Sequence, residues 1–165
     1  MSIRRIFSAL LILCVVGTSV PASDKGRVTN LPIPRYVSLK APEGNVRRGP
    51  SMAHRIDWVF KHRGMPLRVT DEFDNWRRVE DRDGLGGWVH YSLISGQRTV
   101  IVETDLAPMR TKPEPNATVR AYAEAGVVAR LGPCSPDWCR ITAGKNSGWT
   151  PRENLWGLLP GEIRN

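Results

Sequence analysis

The sequence contains few of the side chains that build catalytic or metal centres. Its three histidines, His54, His62 and His90, do not share the short spacings of metal-binding motifs. Asp81 and Asp83 flank an Asp-Gly turn, where carboxylates shape a hairpin more often than they form an acid–base pair. The sequence shows no nucleophile, base and orienting group in an arrangement typical of a catalytic site. We therefore expect that the protein is not an enzyme and has no catalytic residues, no metal site and no cofactor.

Long apolar runs are also scarce, and the main one lies near the amino terminus. Residues 6–16 are almost wholly apolar and follow Arg4 and Arg5, but they make up about half of the ~20 residues that a membrane-spanning helix needs. Val20-Pro21-Ala22 then provides small residues for a signal peptidase. We expect residues 1–22 to be a signal peptide and the protein to be exported, periplasmic or extracellular. We expect no stable membrane insertion after signal removal.

A lipoprotein modified at Cys14 is the alternative interpretation of this terminus. Leu13 precedes that cysteine at a position where processing requires a small residue. We therefore favour cleavage after Ala22, which removes Cys14 from the mature chain.

Helical periodicity is missing from the remainder of the chain. Short segments of alternating or apolar residues are separated by turn residues, and none is long enough for a stable amphipathic helix. Strands are predicted at residues 36–41, 56–60, 67–73, 76–80, 87–90 and 98–102. This pattern predicts a small all-β fold with strongly bent strands.

The sequence does contain an internal repeat. The recurring positions are Arg47 and Arg110, Pro50 and Pro113, Trp76 and Trp138, and Gly87-Trp88 and Gly148-Trp149. Their separation drifts between 61 and 63 residues, as small loop insertions and deletions produce. A period of this length is too long for most solenoid units and indicates two small domains in tandem.

The repeat sets the expected domain boundaries. We place domain 1 at residues 35–103 and domain 2 at residues 104–160, with a C-terminal tail at 161–165. Residues 23–34 mix small, charged and proline residues without a period, so we expect a linker there and order from about Arg35. Each copy is near the size at which a single core is marginal, so we expect the copies to pack together.

Two cysteines, Cys134 and Cys139, remain after signal removal and flank a short turn in the second copy. An even number of cysteines in an exported chain favours a disulfide. Closing so small a loop should stabilise the fold by roughly 2 kcal/mol. A metal site is disfavoured because two thiols without a nearby histidine supply too few ligands.

The formal net charge is +8, and it falls to +6 when Arg4 and Arg5 leave with the signal peptide. Such a charge suits nucleic acid, an anionic membrane surface or acidic envelope polymers. Export argues against nucleic acid as a partner. A solvated basic surface without a charged partner stays open as an alternative.

Four pieces of the first copy follow one another in a defined order. They are an Asn-Val-Arg-x-Gly-Pro-Ser loop at 45–51, a glycine turn at Gly64, a Trp-x-x-Val strand at 76–79 and a Gly-Trp-Val strand at 87–89. Because these four pieces occur in this order, the chain resembles the bacterial SH3-like, or SH3b, family, which is found in exported proteins and cell-wall enzymes. The resemblance implies two tandem SH3-like small β-barrels of five to six short strands each, packed against each other. The second copy departs from it at Lys112, which replaces the loop glycine.

The resemblance also bears on function. It implies a non-enzymatic binding module for cell-envelope material, either peptidoglycan peptides or an envelope protein. The rival hypothesis is a structural or interaction subunit whose two copies form one rigid block and bind no small ligand. The oligomeric state is left open.

Four residues are candidates for ligand binding. Trp58 and Trp156 have no counterpart in the other copy, so they are available to bind a ligand or to fill the interface between copies. Tyr91 begins the one-turn helix, near the position where SH3-like folds present a groove. Arg47 could hold a carboxylate, although we favour a role in binding backbone carbonyls of its loop, as for Arg110.

Overall fold

The structure, a computed structural model, describes residues 24–165. The predicted signal peptide, residues 1–22, lies outside the described residues. Apart from two one-turn 3-10 helices, the regular structure of the described chain is β-strand, which confirms the all-β fold class. Among the described residues, no helix is long and apolar enough to span a bilayer.

The segment that we expected to be a linker forms an antiparallel hairpin. Its strands are β1 (Asp24–Lys25) and β2 (Pro32–Ile33). Order therefore begins before Arg35, and the expectation of a linker over these residues was wrong. The hairpin is stabilised by Glu72, whose carboxylate accepts hydrogen bonds from the Val28 and Thr29 amides and from the Thr29 hydroxyl. These partners lie more than 40 residues apart in sequence, so local composition could not show them.

The first copy folds into one seven-stranded antiparallel sheet. Its strands are β3 (Arg35–Leu39), β4 (Gly44–Arg47), β5 (Ile56–Phe60), β6 (Pro66–Phe73), β7 (Trp76–Glu80), β8 (Gly86–His90) and β9 (Ile94–Ser95). They are arranged in the order β5-β4-β8-β7-β6-β3-β9, and a 3-10 helix, Tyr91–Leu93, joins β8 to β9. Irregular registers after Val46 and Val69 are β-bulges, which bend the strands.

The second copy repeats this arrangement. Its strands are β10 (Thr99–Val102), β11 (Ala107–Arg110), β12 (Val119–Ala123), β13 (Val128–Cys134), β14 (Trp138–Ala143), β15 (Asn146–Pro151) and β16 (Leu155–Trp156), and a 3-10 helix, Arg152–Asn154, precedes β16. The order is β12-β11-β15-β14-β13-β10-β16. Each sheet has seven strands rather than the five to six expected, because a two-residue strand after each helical turn also pairs.

The boundary between the copies differs from the expected one. We took residues 98–102 as the last strand of the first copy, but β10 pairs with β13 and β16 of the second. The division therefore falls between β9 and β10 instead of between residues 103 and 104. The apolar pattern of β10 identifies a strand, and only its distant partners decide to which sheet it belongs.

Each copy has its own hydrophobic core. Val46, Leu67 and Val89 are fully buried in the first, while Val100, Met109 and Ile141 are buried in the second. The predicted disulfide between Cys134 and Cys139 is present and lies within the second core. Two separate cores explain how each copy can form a complete domain.

The two copies also contact each other, as predicted. The rings of Tyr36 and Trp156 meet edge to face with their centroids 5.2 Å apart. The Arg98 guanidinium lies 5.6 Å from the centre of the Tyr36 ring. The Thr99 hydroxyl donates a hydrogen bond of 2.6 Å to the Gly64 carbonyl. Aromatic and polar contacts therefore both join the domains.

Candidate functional site

An aromatic row crosses one face of the first sheet. Phe73 on β6 lies opposite Trp76 on β7, and Trp76 lies opposite His90 on β8. Residues directly opposite each other in antiparallel strands project from the same face, so these three side chains are neighbours. The His90 ring lies 5.5 Å from Trp76 and 4.8 Å from Tyr91, measured between centroids. Ring contacts thus run from Trp76 through His90 to Tyr91 at the start of the 3-10 helix, and Phe73 lies beyond Trp76 on the same face.

A cleft of about 360 Å³ opens beside this row. Its lining residues are Asn45, Arg47, Met52, Trp76, His90, Ser92 and Leu93. Trp76 is 7% exposed, whereas Met52 is 71% exposed. A cleft with aromatic and apolar walls and a few polar groups is typical of sites that bind small molecules or peptide side chains.

Arg47 holds the loop that forms one side of this cleft. Its guanidinium donates hydrogen bonds of 3.1 Å to the Met52 carbonyl and 2.6 Å to the His54 carbonyl. Arg110 in the second copy donates in the same way to the Ala117 carbonyl, at 2.8 Å. The structure thus agrees with the favoured interpretation, in which both arginines bind backbone carbonyls. In the first copy this contact also positions Met52 at the cleft.

The glycine of the same loop allows a close internal contact. A Cβ atom at Gly49 would lie 2.5 Å from atoms of the His54 imidazole. The ring therefore packs directly over the glycine backbone. Lys112 occupies the corresponding place in the second copy, so that loop cannot pack in the same manner.

The other three candidate residues lie outside the cleft. Tyr91 is exposed and borders a separate hollow with Leu31 and Tyr36. Trp58 is half-buried against the first core, and its Nε1 atom is buried without a hydrogen-bond partner among the described residues. Trp156 is half-buried at the contact between the copies.

Sequence reasoning therefore placed one of its four candidates, Arg47, at the cleft and missed most of the lining. In the sequence, Trp76 stands out only as part of the internal repeat, and His90 only as a histidine without the spacing of a metal-binding motif. The hairpin between β7 and β8 was visible in the sequence and brings these two residues close together. The sequence could not predict that Trp76 and His90 lie opposite each other, because residues 81–85 form a longer turn whose geometry decides the register of β7 and β8.

The second copy does not repeat the aromatic row. Trp138 lies opposite Pro151, where the first copy has Trp76 opposite His90. Arg152 follows Pro151 and donates hydrogen bonds to the carbonyls of Ser135, Leu159 and Glu162. The C-terminal segment continues to Arg164, which exchanges backbone hydrogen bonds with Cys134. The second copy thus uses this region to hold its own C-terminal segment.

Metal ligands do not cluster in the described part of the chain. Over residues 24–165, no group of three or more histidine, cysteine, aspartate or glutamate side chains is close enough to hold an ion. The cleft instead offers aromatic faces, apolar surface and a few hydrogen-bonding groups, which suit non-covalent binding.

Among curated proteins, no sequence matches this chain. Two solved structures from Trichomonas vaginalis, those of NlpC2 and NlpC1, are each 12% identical with a TM-score of 0.35. The alignments cover 74% and 87% of this chain, and 48% and 50% of the two structures, respectively. The chain thus spans about half the length of those proteins.

A family model gives the stronger result. The model described as bacterial SH3 domain matches residues 40–96 and again residues 103–157. The two matches correspond to the two sheets and together cover more than half of the sequence. The chain therefore belongs to the bacterial SH3 domain family, with two copies of the domain in tandem.

Proposed function

We propose that the protein is a non-enzymatic binding module of the cell envelope and that its first domain binds a peptide in the aromatic cleft. The ligand is a peptidoglycan peptide or a segment of an envelope protein. The observation that carries the proposal is the cleft formed by Arg47, Met52, Trp76 and His90, which the second domain does not reproduce. Membership of the bacterial SH3 family supports a role at the cell wall.

The disulfide supports the proposed compartment. Disulfides persist in oxidising environments outside the cytosol, and Cys134 and Cys139 are joined in the second domain. We propose on this basis that the protein works after export, in the periplasm or outside the cell.

The proposed ligand would occupy the cleft through stacking and apolar contact. Trp76 and His90 provide ring faces or edges, and Met52 provides a flexible thioether that can adapt to a ligand. The Asn45 and Ser92 side chains add hydrogen-bonding groups to the lining. Arg47 adds positive charge, although one nitrogen is already used by the loop.

Intrinsic fluorescence tests this proposal because Trp76 lies in the cleft. The protein is titrated with defined stem-peptide fragments at low and high salt, in parallel with crosslinking to envelope extracts. We expect a saturable fluorescence change, and Met52→Asp should weaken binding about tenfold by placing a desolvated charge against the ligand. Leu85→Asp is the matched control, since Leu85 is also exposed in the first domain but lies at the β7–β8 turn.

The proposal fails if stem peptides give no saturable change and no envelope protein is crosslinked. It also fails if Met52→Asp and Leu85→Asp reduce binding equally, because the effect would then be one of net charge. A salt-sensitive affinity would identify charge as a large part of the binding free energy.

The second candidate function is a rigid interaction subunit without a small ligand. The contacts between the domains support it, since Tyr36, Trp156 and Arg98 fill the space between the copies. Trp156 is then an interface residue rather than a binding platform. Persistent failure of ligand titrations, together with one cooperative unfolding transition for both domains, would favour this alternative.

A further inference from the structure

A second surface differs between the two copies in charge. In the first copy, Arg68 lies opposite Glu80 and donates a hydrogen bond of 2.6 Å to its carboxylate. The corresponding residues of the second copy, 62 positions later, are Arg130 on β13 and Thr142 on β14. They lie opposite each other in the same way. The arginine is thus retained, while a hydroxyl replaces its carboxylate partner.

A neighbouring arginine of the second copy also lacks a carboxylate on the adjacent strand. Arg78 lies opposite Asp71 in the first copy, although the Asp71 carboxylate forms its ion pair with Arg27. The corresponding residues of the second copy, 62 positions later, are Arg140 and Pro133. Among residues 24–165, neither Arg130 nor Arg140 forms an ion pair with a carboxylate. Both arginines are exposed. The second copy therefore presents two arginines that have lost the acidic neighbours of their counterparts.

These arginines line a groove of about 520 Å³ together with two hydroxyl groups. The lining residues are Arg130, Gly132, Pro133, Arg140, Thr142 and Ser147. Thr142 lies opposite Ser147 on β15, and their hydroxyl oxygens are 3.3 Å apart. The Arg140 Nε atom donates to the Ser147 hydroxyl at 3.2 Å. None of these lining residues carries a carboxylate.

We propose that this groove binds phosphate groups. Guanidinium groups form charge-assisted, bidentate hydrogen bonds with phosphate. The Ser147 hydroxyl accepts from Arg140 and Thr142, so its own proton can be donated to a further phosphate oxygen. A tetrahedral phosphate offers enough oxygens to accept from both arginines and from the Ser147 hydroxyl, whereas a planar carboxylate offers two. Thr142 is the residue that makes the site available, because a glutamate there would pair with Arg130 as Glu80 pairs with Arg68.

This site lies on the second domain and requires a different ligand chemistry from the aromatic cleft of the first. The two sites can therefore be tested separately. Failure of peptide binding at the cleft leaves phosphate binding in the groove unaffected, and the reverse also holds.

The test is a titration of the purified protein with sodium triphosphate at low ionic strength. Binding is measured by calorimetry and by the NMR signals of the arginine Nε–H groups. We expect saturable binding with shifts confined mainly to Arg130 and Arg140. Thr142→Glu should weaken this binding about tenfold or more, because it supplies the internal partner for Arg130. That variant reproduces a pair already present in the first domain, so it should fold normally.

Thr118→Glu is the charge-matched control, since Thr118 is exposed in the same domain but lies outside the groove. It should change the affinity by less than about threefold, as expected for a remote screened charge. Triphosphate binding that does not saturate, or an equal loss in Thr142→Glu and Thr118→Glu, would overturn the proposal.

Vesicles containing phosphatidylglycerol distinguish two sources of the phosphate. Co-sedimentation that Thr142→Glu abolishes assigns the groove to lipid headgroups. Saturable triphosphate binding without co-sedimentation assigns it to a soluble phosphate compound.

Discussion

Two glycines show how single residues permit the strands of each domain to cross closely. A Cβ atom at Gly87 would lie 2.7 Å from the Arg47 carbonyl oxygen, and one at Gly148 would lie 2.7 Å from the Met109 carbonyl carbon. Both clashes are with backbone atoms, which cannot move aside as a flexible side chain can. The repeated Gly-Trp pair therefore has a packing reason in each copy.

Replacing either glycine by alanine should destabilise its own domain. We expect Gly87→Ala and Gly148→Ala each to lower the free energy of unfolding by about 1–3 kcal/mol, the usual cost of overpacking. Chemical denaturation of each variant measures this change. Gly96→Ala is the control, because no atom lies within 4 Å of a Cβ placed there. Equal stability of Gly148→Ala and Gly96→Ala would contradict the argument.

Glu72 is the second residue with a clear individual role. Burial would by itself raise the pKa of its carboxyl group, but hydrogen bonds from Thr29, Arg35 and the Val28 amide lower that pKa to about 2. The side chain of Glu72 is fully buried and also lies 3.5 Å from Arg77. A charged carboxylate inside the fold is therefore fully partnered.

At the scale of elements, this carboxylate attaches the β1–β2 hairpin to the first sheet. The hairpin itself has only two residues in each strand, too few to be stable alone. Gly26 lies directly against Glu72, since a Cβ atom at this glycine would be 2.4 Å from the carboxylate. Hydrogen bonding to one side chain therefore orders a segment whose composition resembles a linker.

The attachment predicts how the first domain responds to acid. Because the folded pKa of Glu72 is about 2 and its ordinary value is 4.5, ionised Glu72 stabilises the fold above pH 4.5. This contribution, roughly 3 kcal/mol, should be lost as the pH falls from about 4.5 through about 2. Denaturation of wild type and Glu72→Gln over this pH range measures the difference between them.

We expect Glu72→Gln to be less stable than wild type at neutral pH and the gap to narrow in acid. Glu124→Gln, which changes an exposed carboxylate of the second domain, should leave the pH dependence as in wild type. A constant gap between wild type and Glu72→Gln at every pH would show that the carboxylate charge does not stabilise the hairpin.

For the whole molecule, the main question is how firmly the two domains are joined. Tyr36 is 9% exposed, and burial raises the pKa of its phenol group. Arg98 lies over its ring and donates hydrogen bonds to Glu162 and to the Gly157 carbonyl of the second domain. The contact thus combines aromatic packing with hydrogen bonds that tie Arg98 to the second domain.

A double-mutant cycle on Tyr36 and Trp156 measures this coupling. We expect the effects of Tyr36→Ala and Trp156→Ala on unfolding free energy to be non-additive by about 0.5–1.5 kcal/mol, as for other aromatic pairs. Pairing Tyr36→Ala with Tyr122→Ala, an exposed tyrosine of the second domain, should give additive effects. Additivity in both cycles would mean that the two rings contribute no coupling.

Much of the architecture could be predicted from the sequence. Local alternation identified β5 and β7 with the bounds that the structure shows, Ile56–Phe60 and Trp76–Glu80. The repeat of Arg47 at Arg110 predicted two domains, and the same contact to backbone carbonyls occurs in both. Such features are readable because they depend on neighbouring residues or on a pattern that occurs twice.

The candidate cleft and the exact domain division were decided by the tertiary structure. β10 carries a clear strand pattern, but its membership of the second sheet depends on pairing with β13 and β16. Trp76 and His90 become part of one cleft only through the β7–β8 register and the loop that Arg47 holds. The sequence by itself thus determined the strands β3, β5 to β8 and β10, the repeat and the disulfide, which follow from local patterns. Which strands pair, and which side chains then share a surface, depends on contacts between distant residues.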